Sequence, residues 1–230
     1  MNAVVLASGG LDSAVTAALA KQDGCSIFLL TVAYGQRHEI EMQRARQLAQ
    51  ALEAAGHLVL EVDLRAIGGS ALTANQEVPK DRPAAERQKG IPATYVPARN
   101  TIFLSLALAY AECLEAPYIY IGANIVDYSG YPDCRPEFLQ AFERLARLGT
   151  RAGVSGQSIE IRAPLQRMTK AEIIRLGASL GVPFHLTHSC YDPGPDGIAC
   201  GRCDSCQIRR EGFRAAGVAD PIRYADRDQQ

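Results

Sequence analysis

Apolar positions along this chain fall into short runs separated by longer stretches of helical period. The run at residues 3–7, with Val4, Val5 and Leu6, reads as a strand, and residues 13–21 as an Ala-rich helix. Residues 26–32 are apolar enough for a strand buried on both faces. A helix of Ala, Leu, Glu, Gln and Arg is expected over 39–55, then a strand over 58–62. Further on, 101–114 reads as an apolar helix, 118–122 as a strand and 136–147 as a helix, with Pro136 at the first helical position. Residues 159–162 give a fifth strand. The helix over 169–180 opens with Thr169 and Glu172 in the spacing of a capping box. Such alternation specifies the α/β class: a parallel sheet with helices on both faces, and a ligand beyond the carboxyl ends of the strands.

Two regions break the alternation. Residues 65–98 contain Gly68-Gly69, prolines and many charges without a sustained period, as in a functional lid or a disordered insertion, and both readings stand. From His188 onward the chain turns rich in Cys, Gly and Pro. This divides an α/β unit at 1–187 from a small C-terminal unit at 188–230, whose last helix is expected at roughly 206–216.

The first strand ends in Ser8-Gly9-Gly10-Leu11-Asp12-Ser13. Glycines let the backbone approach an anion, and the following helix aims its N-terminal N–H groups at the same place. Asp12 adds an oxygen ligand for a hard cation such as Mg²⁺ riding on phosphates. No Gly-Lys-Ser/Thr follows, and the dinucleotide Gly-x-Gly-x-x-Gly pattern is absent. The candidate nucleotide-binding segment comprises Leu6, Ala7, Ser8, Gly9, Gly10, Leu11, Asp12, Ser13, Ala14, Val15 and Thr16; the alternative is an ordinary Gly turn opening a helix. The loop resembles the pyrophosphate loop of the ATP-pyrophosphatase superfamily, which implies ATP as co-substrate with Mg²⁺ and adenylation of a substrate oxygen.

The 230 residues are 47% hydrophobic, enough for a sizeable core, and the formal net charge is −1. That balance argues against a protein held on nucleic acid by a basic field. No run of about eighteen apolar residues is present, so no membrane span is expected. Met1-Asn2 leads straight into a strand without a charged leader, so a cytoplasmic location is expected. There the seven cysteines read as thiols or metal ligands. Cys190, Cys200, Cys203 and Cys206 suit one closed tetrahedral Zn²⁺ site per chain, with a stiff turn-rich loop returning Cys190 to the others. An Fe–S cluster, a redox pair and unrelated buried cysteines are the alternatives. Cys25 and Cys113 fall on apolar positions and are expected in the core.

Other polar groups follow the strands. Tyr34-Gly35-Gln36-Arg37-His38 offers a ring for stacking and a guanidinium for an anion, or simply a solvated helix start. In Val96-Pro97-Ala98-Arg99-Asn100, Asn100 is the expected N-cap of the next helix and Arg99 a second anion contact. The loop from Gly122 to Arg135 carries Asn124, Asp127, Tyr128, Tyr131, Asp133 and Arg135, which suits a flat hydrogen-bonding heterocycle but also a polar surface loop. Lys170, at a helix start, is a candidate point charge on phosphates, although an exposed helix lysine is the common case.

Together Ser8-Gly9-Gly10-x-Asp12-Ser13, Tyr34-Gly35-Gln36-Arg37-His38, Val96-Pro97-x-Arg99-Asn100, Asp127-x-Ser129-Gly130-Tyr131-Pro132-Asp133-Cys134-Arg135 and the four cysteines resemble the 7-cyano-7-deazaguanine synthase family. The resemblance implies an adenine nucleotide alpha hydrolase-like fold with a small C-terminal zinc-binding subdomain. It also implies an ATP-dependent carbon–nitrogen ligase of queuosine biosynthesis, taking 7-carboxy-7-deazaguanine and ammonia to the nitrile through an adenylated carboxylate and an amide. It assigns Asp12, Lys170 and Arg99 to the phosphates, Tyr131, Asp133 and Arg135 to the deazaguanine, and a homodimer to the assembly. Asn2 stands where an N-terminal nucleophile Cys would sit, so free ammonia is the simpler nitrogen source. The rival is a tRNA thiolation enzyme of the same superfamily, which requires a reactive cysteine, for which Cys134 is the nominal candidate, and a basic RNA-binding face.

Overall fold

A computed structural model of the chain describes residues 1–35, 40–74, 76–87, 89–126 and 130–225. Five strands, β1 (Asn2–Leu6), β2 (Ser26–Ala33), β3 (Gly56–Glu61), β4 (Tyr118–Tyr120) and β5 (Glu160–Arg162), pair in parallel in the order β3-β2-β1-β4-β5. Ala3 is in register with Ile27 on one side and Tyr118 on the other. The chain therefore winds outward from β1 through β2 to β3, then crosses back to add β4 and β5. That reversal puts a crevice beyond the carboxyl ends of β1 and β4.

Period-two alternation divides each strand between two apolar layers. Val4, Leu6, Leu30, Val32, Ile119 and Ile121 face one layer, with α4 (Arg99–Cys113) and α5 (Pro136–Gly149) supplying Leu104, Leu108, Leu139 and Phe142. Ala3, Val5, Ile27, Leu29 and Tyr120 face the other. That layer is completed by α1 (Leu11–Gln22), α2 (Ile40–Ala51), α7 (Lys170–Ser179) and α8 (Asp204–Ala216). Both faces are covered, so the central strands need no polar side. Among the described residues no helix is long and apolar enough to cross a membrane.

Several boundaries shift for identifiable reasons. Helix α2 stops at Ala51, short of 55, because Glu53 turns the backbone into the left-handed region at φ 52°; its expected first residue, Glu39, lies outside the described residues. Helix α4 begins two residues early, at Arg99. Its N-cap is Ala98, not Asn100: the Asn100 N–H donates to Asp133 Oδ2 at 3.0 Å, so a carboxylate from another segment does the capping. The capping box of α7 is present, with Thr169 N–H on Glu172 Oε2 at 2.7 Å and Glu172 N–H on Thr169 Oγ1 at 3.3 Å. Cys25 is buried as expected, whereas Cys113 is exposed, because it shares the outer face of α4 with Ser105 and Ala109.

Residues 65–98 are packed down rather than loose. Leu72, Val78 and Val96 enter the layer that holds α4, and α3 (Ala84–Arg87) forms beyond them. Lys80 makes an antiparallel bridge with Cys203. Ion pairs link Lys80 to Asp192 at 2.8 Å, Arg82 to Asp204 at 2.8 Å, Arg87 to Glu211 at 2.7 Å, and Asp81 to Arg202. The segment is thus a strap laid across the cysteine-bearing part of the chain. A short helix α6 (Arg151–Val154) follows α5.

Helix α8 carries the most buried charge, Arg209, at 2% exposure. Its guanidinium donates to Asp220 at 3.0 and 3.1 Å, to Thr187 Oγ1 at 2.7 Å and to the Phe184 carbonyl. A desolvated carboxylate left without its partner is costly, so Arg209→Ala is expected to destabilise the fold by about 3–5 kcal/mol. A urea melt of the two proteins measures this, and a loss below about 1 kcal/mol would mean that Asp220 finds water instead.

Candidate active site

The loop after β1 is built by its own hydroxyls. Ser13 Oγ donates to the Gly10 carbonyl at 3.0 Å and accepts from the Ser8 N–H at 3.2 Å, while Gly10 N–H meets Ser8 Oγ at 3.3 Å. Gly9 stands at φ 80°, and a Cβ there would lie 2.5 Å from the Glu41 carbonyl, so no other residue fits. No side chain caps α1, which leaves its first-turn N–H groups facing the crevice with the positive end of the helix dipole behind them. From outside, the His188 N–H clamps the Gly9 carbonyl at 2.9 Å.

These groups open into a cavity of about 240 Å³ at the switch point. Leu6, Ala7, Ser8, Gly10, Leu11, Asp12 and Ser13 line it; Ala14, Val15 and Thr16 are buried behind that wall, and Gly9 forms the bend. Lys170, expected at a helix start, is only 8% exposed and reaches across from α7 to place Nζ 2.6 Å from Asp12 Oδ1. It passes under α8 at Gly212, where a Cβ would lie 2.3 Å from Lys170 Cγ. The site therefore holds an anchored cation and a carboxylate beside the uncapped helix, the arrangement that a phosphate chain with its metal ion calls for.

Arg99 faces this cavity from the start of α4, its Cζ 5.8 Å from the Tyr34 ring centre and 5.9 Å from that of Phe103. Burial opposes its charge, but the phenol oxygens of Tyr34, Tyr131 and Tyr191 outweigh that and hold Arg99 above the ordinary arginine value. Burial likewise raises Tyr34, so it remains a neutral phenol. Tyr131 lines the cavity, with its hydroxyl 3.1 Å from Thr94 Oγ1. Asp133 and Arg135 do not line it: Asp133 is buried against the α4 N-terminus, and Arg135 is exposed, donating from Nε to the Pro132 carbonyl. Asn124 lines the cavity and ties its loop to the segment after β5, donating to the carbonyls of Leu165 at 2.8 Å and Met168 at 2.7 Å. Gln36, Arg37, His38, Asp127, Tyr128 and Ser129 lie outside the described residues.

Thr31, Phe103, His188, Ser189 and Tyr191 also line the cavity and were not singled out from the sequence. Thr31 is a strand residue amid apolar neighbours, its Oγ1 2.7 Å from the Ala7 carbonyl. The other signal was the polar run His188-Ser189-Cys190-Tyr191, overshadowed by its cysteine.

Cys190 lines the same cavity and belongs to the four-thiol cluster. The sulfurs of Cys190, Cys200, Cys203 and Cys206 lie within 4.8 Å of one another, with Cys200 and Cys206 at 4.0 Å. A tetrahedral metal with thiolate bonds of about 2.3 Å needs sulfurs roughly 3.8 Å apart, so the cluster fits. Backbone N–H groups of Cys200 and Cys203 donate to sulfur at 3.2 and 3.3 Å, stabilising thiolate. Hydrogen bonds among the four pull the Cys200 and Cys203 thiols down and push those of Cys190 and Cys206 up. Full ionisation of such a group requires a cation at its centre. The cluster can hold a metal ion.

Fold and site together define a class: parallel α/β proteins whose first helix opens, uncapped, into a cavity at the sheet's switch point. The family model described as "Queuosine biosynthesis protein QueC" matches residues 2–217, and the chain belongs to that family. A "7-cyano-7-deazaguanine synthase" from Anaeromyxobacter dehalogenans (strain 2CP-C) is 60% identical over 224 residues, covering 97% of this chain and 95% of the relative. One of the same name from Myxococcus xanthus (strain DK1622) is 58% identical over 224 residues, 97% of each. Among solved structures, NMN synthetase from Francisella tularensis covers 95% of this chain at 19% identity with a TM-score of 0.48, a likeness too slight to carry an argument.

Two expectations follow from this geometry. Gly212→Ala inserts a methyl group into the Lys170 stem, so it should cost about 1–3 kcal/mol in a urea melt and dislodge Lys170 from Asp12. Labelling with an amine reagent, read by peptide mass, should then increase at Lys170; unchanged labelling would show that α8 yields instead. Burial, reinforced by the Asp133 charge, pushes the Cys134 thiol up to about 11. At pH 8 only about a thousandth of it is thiolate, rising roughly tenfold per pH unit toward 11. Iodoacetamide at pH 8 should therefore modify exposed Cys113 and spare Cys134, as peptide mapping would register.

Proposed function

We infer that this chain is an ATP-dependent carbon–nitrogen ligase of queuosine biosynthesis that converts 7-carboxy-7-deazaguanine and ammonia to 7-cyano-7-deazaguanine. The observation that carries the reading is the near full-length match to relatives of that name, joined to a cavity built for a phosphate chain. A carboxylate resists ammonia because oxide is a poor leaving group. Transfer of AMP to one oxygen, with release of pyrophosphate, creates a leaving group; ammonia displaces it and yields the amide. A second transfer, to the amide oxygen, lets AMP and two nitrogen protons depart and leaves the nitrile.

The chain's own groups serve both rounds by orientation and charge. In this reading the segment Leu6–Thr16 carries the nucleotide: the N–H groups and hydroxyls from Ser8 to Ser13 receive pyrophosphate, and Lys170 and Arg99 balance its charge. Asp12 is the residue that would hold Mg²⁺, which neutralises phosphate oxygens when bound; Oδ1 is engaged by Lys170, and a carboxylate has a second oxygen to offer. Tyr34, neutral and buried, supplies a stacking face. Of the residues assigned to the deazaguanine, Tyr131 has the position to touch it, Asp133 acts through the start of α4 that carries Arg99, and Arg135 stands outside the cavity. Cys190, Cys200, Cys203 and Cys206 hold one structural Zn²⁺, a homodimer is the assembly, and the cytoplasm is the compartment; these three rest on the family resemblance and the thiol chemistry.

Thiolation of tRNA is the weaker reading. The one thiol in the cavity outside the metal cluster, Cys134, is held protonated, whereas a sulfur-transfer nucleophile needs a lowered thiol.

A mass-resolved assay with Mg–ATP, ammonium and 7-carboxy-7-deazaguanine tests the proposal: nitrile should appear together with AMP and pyrophosphate. Unchanged substrate in folded, metal-replete protein would refute it. Asp12→Ala should lower the rate by about a hundredfold or more while the metal content of the cysteine cluster stays intact. Turnover within a fewfold of the parent would remove Asp12 from the mechanism.

A further inference from the structure

Of the residues assigned to the deazaguanine, Tyr131 lines the cavity, and the strap meets its hydroxyl from behind. Thr94 makes that contact. It is 5% exposed and stands behind the cavity wall rather than in it. Its backbone is fixed on both sides. The Ala93 carbonyl accepts from the Ala71 N–H at 2.8 Å and from Ser70 Oγ at 3.3 Å, and the Tyr95 N–H closes a turn onto the Pro92 carbonyl at 2.9 Å. From this turn Thr94 Oγ1 lies 3.1 Å from the Tyr131 hydroxyl. Tyr95 lays its ring against Tyr131, with centres 5.8 Å apart and planes at 42°. The strap also touches the preceding residue, for a Cβ on Gly130 would collide with the Gly90 carbonyl and with Pro92.

The direction of the Thr94–Tyr131 bond follows from what lies beyond it. The Tyr131 oxygen stands near enough to Arg99 to favour its charge. A guanidinium has donors only, so toward Arg99 the phenol oxygen serves as acceptor and its proton goes to Thr94. Thr94 thereby decides where the phenol lone pairs point, and Tyr95 limits how far the ring can swing.

We propose that Thr94 is a positioning residue for the deazaguanine: its hydroxyl accepts the Tyr131 O–H and holds that ring, lone pairs turned to the cavity, in the pose that meets the substrate heterocycle. This rests on the functional reading given above. A residue of the strap then sets substrate affinity without touching the substrate.

Steady-state kinetics, with 7-carboxy-7-deazaguanine and ATP varied in turn, test this. Thr94→Val exchanges the hydroxyl for a methyl group at nearly equal volume. It should raise KM for the deazaguanine roughly tenfold and leave KM for ATP within about twofold, while Thr94→Ser stays within about threefold of the parent on both. Thr94→Ala should match Thr94→Val, and stands in for it if the valine strains the turn. Tyr131→Phe removes the same bond from the other side, so adding Thr94→Val to it should change little further. A loosened strap would instead raise both KM values and add to Tyr131→Phe. Unchanged KM for the deazaguanine in Thr94→Val and Thr94→Ala, an equal rise for ATP, no rescue by serine, or simple additivity would overturn the proposal. A parent protein that leaves 7-carboxy-7-deazaguanine unconverted would overturn the functional reading, and this inference with it.

Discussion

Lys170 reaches Asp12 because α8 presents no side chain at Gly212. That close approach joins three parts of the chain. Asp12 belongs to α1 directly after the first strand, Lys170 opens α7 beyond the last strand, and Gly212 sits on the helix that begins among the cysteines. Any residue larger than glycine would force either the helix or the lysine to move, and the crevice at the switch point would lose its fixed cation. Interiors packed to this density accept such a shift only as a discrete rearrangement.

The cysteine cluster is part of the same construction. Cys190 supplies one sulfur and a piece of cavity wall, and two residues earlier the His188 N–H holds the bend at Gly9. A metal ion held by the four sulfurs would therefore fix one side of the Ser8–Ser13 loop. Cys190 thus meets the loop through its backbone neighbourhood, and Cys134, the other thiol in the cavity, is kept neutral by its burial.

Much of the fold was legible in the chain because apolar runs of strand length are unambiguous when flanked by helical periods. The parallel sheet, the loop at Ser8–Ser13 and the cysteine cluster all follow from local pattern. Long-range partners were not legible. Asn100 looked like an N-cap because its type and position suit one, yet the cap comes from Asp133, a neighbour only in space. Lys170 reads as a candidate charge on phosphates from its place at a helix start, but its burial was not legible, because nothing near it in sequence reveals that Gly212 shelters its stem. The stretch 65–98 lacks period because its order comes from ion pairs and bridges to residues more than a hundred positions away, which leave no repeat to read.

The strap also bears on the route by which the chain folds. Arg82 meets Asp204 across 122 positions and Arg87 meets Glu211 across 124, so these contacts close long loops. Loop closure of that span must be offset by contacts already made, which places it late, after the sheet and its helices have drawn both ends together. Until then the cysteine segment lacks the cover of the strap, and the thiols of Cys190, Cys203 and Cys206 are more accessible to oxidants than in the finished fold, where they are buried. The segment that looks least structured in the sequence is the one that finally closes the thiol cluster off.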